Sequence, residues 1–316
     1  MIKIFPYKIE EFYKKFIEWK PIANIIAFSK NLVLPGFDGM PFYDVSLFFV
    51  KGMQKGSITQ RASSLSFNFF LALFPAIIFF FTLIPYLPIT DFQTTLFSIL
   101  QSVLPENAFE TVKSTISDIL TNKRSGLLSV GFLMTLYFAT NGVNAVIDAF
   151  NKSYHTLENR TWIKQRLISV FLVIILAVLL ITAIALITVG SFLLNYLVKY
   201  GLLKGEITIY LLFASRWIIL LAMLFFGISF LYYFAPAKKK RFRFISAGST
   251  LATFLILITT FGFNFYVTNF SEYNALYGSI GTLIIILMWI YFNAIILLIG
   301  FELNASISNA KHTGKE

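Results

Sequence analysis

The stretch Leu167–Val198, LISVFLVIILAVLLITAIALITVGSFLLNYLV, runs for 32 residues without one Asp, Glu, Lys or Arg. A bilayer core about 30 Å thick is crossed by roughly 20 helical residues, so this run is long enough to span it. Five further uncharged runs pass the same test: Ala62–Thr90, Ser125–Ile147, Trp217–Ala237, Phe244–Ser271 and Tyr273–Phe301. Phe92–Pro105 does not, being shorter and interrupted by Gln93, Thr94, Thr95 and Gln101. Lipid leaves no partner for an exposed backbone group, and the runs lack the alternation of barrel strands. The expected fold is therefore an all-α membrane protein, a bundle of six transmembrane helices near residues 64–88, 126–147, 168–195, 214–235, 244–268 and 277–302.

Composition agrees. Hydrophobic residues make up 57% of the 316, and charged residues 13%, about half the roughly 25% of soluble domains. That excludes a disordered chain and argues against a soluble enzyme. There is no cysteine, and the two histidines, His155 and His312, lie in polar segments far apart in sequence. Thiolate and histidine metal centres are thus excluded, and no metal or other cofactor is expected.

The cations give the orientation. Of 26 Lys and Arg, 20 fall before the first span, in the even-numbered loops or after the last span. Lys238, Lys239, Lys240, Arg241 and Arg243 form the densest group. Cytoplasmic loops carry such an excess, so both termini are expected in the cytoplasm. The same asymmetry accounts for the net charge of +11 without a nucleic-acid partner, and none is expected. Membrane lipids are the expected partners.

Residues 1–61 read as a cytoplasmic or interfacial segment rather than a signal peptide. Ile9, Phe12, Tyr13 and Phe16 recur at helical spacing among Lys8, Glu11, Lys14, Lys15 and Glu18, the pattern of an amphipathic helix. Pro35–Pro41 is a turn-rich break. Between the first two spans, residues 91–121 hold two short apolar-faced helices, expected as a cap on the outer end. Residues 304–316 read as a cytoplasmic tail. The connection between the last two spans is short, which makes them neighbours.

Several stretches resemble the YihY/BrkB family of bacterial inner-membrane proteins. They are Arg61–Phe67 leading into Leu71-Ala72-Leu73-Phe74-Pro75, then Leu231–Pro236, then Tyr277-Gly278, Trp289-Ile290-Tyr291 and Gly300-Phe301-Glu302-Leu303. The likeness covers about residues 45–305 in order and spacing. It implies a multi-pass protein of the bacterial inner membrane, and it marks Pro75, Pro236, Tyr277, Gly278, Trp289 and Gly300 as motif positions. The family has carried the label of a tRNA-processing ribonuclease, and some members resemble factors for serum resistance or for moving lipids.

Tyr137, Asn141, Asn144 and Asp148 fall at i, i+4, i+7 and i+11, one face of the second span. The stripe reads either as the wall of a water-filled cavity or as hydrogen-bonding glue between helices. Asn68 and Asn293 belong at the same depth and are candidates for the same cavity. Pro75 frees a carbonyl and favours a kink. Glu302, expected to close the last span, opposes the helix dipole there and needs a partner, Arg61 or Arg166. It reads as an ion pair or as a proton-coupling site. Arg216, at the outer start of the fourth span, snorkels or binds a lipid headgroup.

No convergent carboxylates or histidines support the nuclease label. Three functions remain: transport or translocation of an amphiphilic or small substrate, which the cavity favours; a non-transporting envelope scaffold; and, least supported, an RNA-processing enzyme. The topology has its own test. A cysteine replacing Lys239 is expected to label only from the cytoplasm, and one replacing Ser114 only from outside. Labelling of both from one side would refute six spans.

Overall fold

The computed structural model describes residues 20–55, 57–83, 113, 125–153, 160–200, 206–237, 243–269 and 279–313. The N-terminal helix around Phe12, the cap of residues 91–121, Tyr277, Gly278 and the basic run Lys238–Arg241 lie outside them. The described residues form eight helices: α1 (Lys20–Asn31), α2 (Phe42–Lys55), α3 (Ile58–Leu83), α4 (Ser125–Asn151), α5 (Trp162–Lys199), α6 (Glu206–Phe234), α7 (Ala247–Asn269) and α8 (Ser279–Thr313). Helices α3 to α8 are each long and apolar enough to cross a membrane. The protein is an all-α, multi-pass membrane protein.

The spans pack in a ring. Each of α3 to α7 touches its successor, and α8 returns to touch α3, while α2 lies against α8 and α1 against α2. Burial is concentrated at one end, which also carries Arg61, Lys152, Arg160, Arg243 and Lys311. There the core joins Ala62 and Leu65 of α3, Val146 and Phe150 of α4, Leu172 of α5, Tyr232 of α6, Ala252 of α7 and Leu298 of α8. Phe150 stacks on Phe301 with ring centroids 4.1 Å apart, and Tyr232 meets both edge-on.

Two boundaries differ from the sequence reading. Helix α3 starts at Ile58, so Arg61 lies inside the first span and does not end a separate segment. Helix α8 does not stop near Phe301 but continues to Thr313. The polar residues beyond Glu302 are internal partners: Asn304 accepts from the Gly248 amide at 2.8 Å and donates to Ser246 Oγ at 2.8 Å. Ile307 and Ala310 pack with Phe37 and Val45. Small side chains with satisfied hydrogen bonds let α8 stay helical and buried where composition suggested a tail. Asp38, at the Pro35–Pro41 turn, pairs with Arg243 and with Lys311 of α8.

Pro75 sits within an unbroken α3. Pro236 is fully buried just after α6, where Arg160 donates to the carbonyls of Phe234, Ala235 and Pro236. This satisfies acceptors that the helix end leaves open. Gly300 is where α6, α7 and α8 come closest. A Cβ there would strike the Tyr232 hydroxyl and lie 2.7 Å from the Gly248 carbonyl. Its absence lets Tyr232 donate to the Leu297 carbonyl at 2.7 Å. Gly300→Ala is expected to lower stability by about 1–3 kcal/mol through overpacking, read as thermal unfolding in detergent. Gly262→Ala, with open space around it, is expected to be neutral or stabilising by under about 1 kcal/mol.

Candidate functional site

Two polar stripes face each other across the α3–α4 seam. On α3 and the residue preceding it the stripe is Ser57, Gln60, Arg61, Ser64 and Asn68; on α4 it is Asn141, Asn144 and Asp148, continued by Lys152. With Ala145 and Ala149 they line a cavity of about 560 Å³. Asn68, Asn141, Asn144 and Asp148 are thus brought together.

The cavity lies on the flank of the ring. On α4 the core is reached by Val143, Val146, Ile147 and Phe150. At 3.6 residues per turn, the stripe of Tyr137, Asn141, Asn144 and Asp148 points roughly 140° away from them. The same α4 face continues towards the other end as Leu133 and Val130, both exposed. One face therefore changes from polar to apolar at Tyr137.

Helix α5 braces the stripe. Gln165 donates to Asn144 Oδ1 at 2.9 Å and to Asp148 Oδ1 at 2.5 Å, and Asn144 donates to Asp148 Oδ2 at 3.4 Å. Arg166 donates to Asn141 Oδ1 at 2.7 Å and lies over the Tyr137 ring, 5.5 Å from its centroid. The stripe is both a cavity wall and a set of interhelical bonds. Tyr137, itself 56% exposed, carries Arg166 beside the cavity and is not part of its lining.

Behind the cavity lies a buried charge. Glu302 has no exposed surface and Arg61 is 8% exposed; Arg61 Nη2 stands 3.7 Å from Glu302 Oε2. Ser153 donates to the same oxygen at 2.6 Å, and Arg61 Nη1 donates to the Ala149 carbonyl at 2.8 Å. Gly52 of α2 packs directly on the carboxylate, where any Cβ would overlap it. Of the two expected partners Arg61 serves, and Arg166 is occupied at Asn141. Glu302 lies well inside α8, so the helix-end dipole argument does not apply to it.

The remaining candidates lie elsewhere. Asn293 donates to the Trp289 carbonyl of its own helix and does not line the cavity, whose wall is built by residues 57–68 and 141–152 and none of α8. Trp289 is 40% exposed. Arg216 lies within α6, which begins at Glu206, and is the third residue of that helix's membrane-crossing stretch Ala214–Phe234. Ser57, Gln60, Ser64, Gln165 and Ser169 escaped the sequence reading. The spacing 57, 60, 61, 64, 68 carried the signal, hidden by placing a boundary at Arg61. Among the described residues no group of three or more His, Asp or Glu could hold a metal ion.

These features define a multi-pass helical membrane protein with a lateral polar groove. The model of the Virulence factor BrkB family matches residues 49–316, and the chain belongs to that family. The ribonuclease-like protein YfkH of Bacillus subtilis is 34% identical over 252 residues, covering 80% of this chain and 90% of its own. A UPF0761 membrane protein of Alteromonas mediterranea is 27% identical, covering 84% of this chain and 88% of its own. One of Psychromonas ingrahamii is 22% identical over similar shares. No solved structure matches.

The buried pair yields a prediction. Glu302→Ala strands the Arg61 charge and is expected to cost about 3–5 kcal/mol, measured by detergent unfolding. The double variant Arg61→Met with Glu302→Met is expected to regain most of that loss. Additive losses would show that the two charges do not act as a pair.

Proposed function

We propose that this protein transports or translocates an amphiphilic substrate, taking its polar headgroup into the α3–α4 groove. The observation that carries this reading is the single α4 face running from Asp148, Asn144 and Asn141 through Tyr137 to the exposed Leu133 and Val130. A headgroup has hydrogen-bonding partners at one end of that face, and its tails have lipid-like surface at the other. A central channel would instead turn the stripe towards the core. The reading includes the plasma membrane as location and the cation-rich end as cytoplasmic, supported by the cation asymmetry. It assigns no reaction; the ribonuclease-like name is that of the Bacillus subtilis relative.

The groove spans only part of the bilayer. Above it, α3 and α4 close together where Gly131 meets Phe79 and Gly142 meets Phe69. Passage to the other leaflet therefore needs these helices to part. The chain has no native cysteine, so a crosslink can be introduced cleanly. A Cβ at Gly131 would lie 3.6 Å from that of Phe79, within the range a disulfide requires. The Phe79→Cys, Gly131→Cys variant in vesicles is expected to lose translocation of a fluorescent phospholipid when oxidised and regain it when reduced. If wild-type protein moves no phospholipid, or the oxidised variant moves it unimpeded, the reading falls and a non-transporting scaffold takes its place.

A further inference from the structure

We infer that the groove reads a phosphate, carried by a lipid headgroup and bound by Arg166; this rests on the proposed function and names its substrate class. Arg61 is answered by Glu302, and Arg243 and Lys311 are answered by Asp38. Arg166 is different. It lies within the candidate span Trp162–Ile187, half-buried, flanked along α5 by the exposed Trp162, Ile163 and Leu167. Among the described residues it makes no ion pair, and its partners are a neutral amide and an aromatic ring. Asp148 does not serve it: the two make no ion pair, and the Asp148 oxygens accept from Gln165 and Asn144. Arg166 is the fifth residue of that span, at the cation-rich end, where a cation with no acid beside it attracts an anion.

Geometry narrows the anion. The guanidinium is held at one N–H by Asn141 and over its face by Tyr137, so its plane is fixed while further donors remain. A fixed planar fork suits an oxyanion that accepts two parallel hydrogen bonds, as phosphate does. Arg166 stands at the edge of the lining and not in it, against the lining residue Asn141 and over Tyr137, where the polar face gives way to Leu133 and Val130. In a phospholipid the phosphate occupies that same junction between polar headgroup and acyl chains. The rest of the headgroup would extend along Asn144 towards Lys152, which lines the mouth and makes no ion pair among the described residues. A positive group at the mouth draws anions in.

The test uses full-length protein in detergent, offered dioleoyl phosphatidylglycerol, dioleoylglycerol or inorganic phosphate, with retained ligand read by native mass spectrometry. Wild type is expected to retain phosphatidylglycerol and not dioleoylglycerol. Arg166→Gln should lower retention about tenfold, the loss of one charge-assisted contact. Arg166→Lys keeps the charge without the fork and should fall between them. Lys152→Gln should slow uptake more than it weakens retention. Unchanged retention by folded Arg166→Gln and Arg166→Lys, or equal retention of dioleoylglycerol, would overturn the inference. Phosphate that displaces the lipid at equal concentration would support the anion site and overturn the lipid as its occupant. Vesicle assays separate the two claims: translocation at the wild-type rate by Arg166→Gln sinks the phosphate site alone. Arg166-dependent binding without translocation by wild type sinks the transport reading alone.

Discussion

A carboxylate with no exposed surface, at a level where four chain segments converge, sets the terms for the rest of this structure. Left unpaired, a charge buried there would cost several kcal/mol. Compensation arrives from Arg61 of α3 and from Ser153 just after α4. Gly52 of α2 covers the site because it has no side chain to clash. The pair joins the first and last spans and so closes the ring. It also fixes the rotation of α3: Arg61, which reaches behind the cavity to Glu302, shares its helix face with Ser57, Gln60, Ser64 and Asn68, so that face is held towards α4. The groove follows from how the buried charge is answered.

The span count was legible because it depends on one strong quantity, the length of chain free of charge. Every span appears as a helix, from α3 to α8. Boundaries were less legible where polarity and burial part company. Asn304, Ser306 and Ser308 look like the start of a solvated tail, yet all three are buried; Asn304 bonds across to Gly248 and Ser246, and Ser306 donates to the Glu302 carbonyl. Arg61 looked like the last residue before the membrane, but a buried acid 241 positions later draws it into the bundle. No local pattern records that pairing. The α4 stripe was legible as a face, and its neighbours were not. Which of Gln165, Arg166 and Ser169 meets Asn141 and Asn144 depends on how α5 is rotated, and an almost uniformly apolar helix does not encode its rotation in its periodicity.

The two readings of the α4 stripe, cavity wall and interhelical glue, are compatible for a geometrical reason. A helix face about a third of a turn wide can meet a neighbour on one edge and a void on the other. Asn144 does both, accepting from Gln165 of α5 while lining the cavity against α3. Its bonds hold the amide at a fixed angle and leave the cavity lined by preoriented groups. Free polar side chains at this depth would otherwise turn to their own backbone, as Asn293 does at Trp289 and Asn68 does at Ser64.

The seams of the ring are not equally strong, and the difference bears on which of them can open. Helices α7 and α8 are tied by Asn304 to Gly248 and Ser246. Helices α4 and α5 are tied by Gln165 and Arg166. Helix α3 meets α4 with one such bond, from Arg61 to the Ala149 carbonyl, at the cation-rich end. Further along, the described contacts between α3 and α4 are apolar, among them Phe79 with Phe132 and with Gly131. Lipid chains are as apolar as these side chains, so no hydrophobic drive holds that stretch shut, and it closes by van der Waals packing alone. Parting it exchanges protein contacts for lipid contacts and exposes no unsatisfied polar group. Parting the α4–α5 or the α7–α8 seam would strand amides in hydrocarbon. Of these three seams, α3–α4 is the most extensively packed and also the one that parts without stranding an amide, and its lower end is the polar groove.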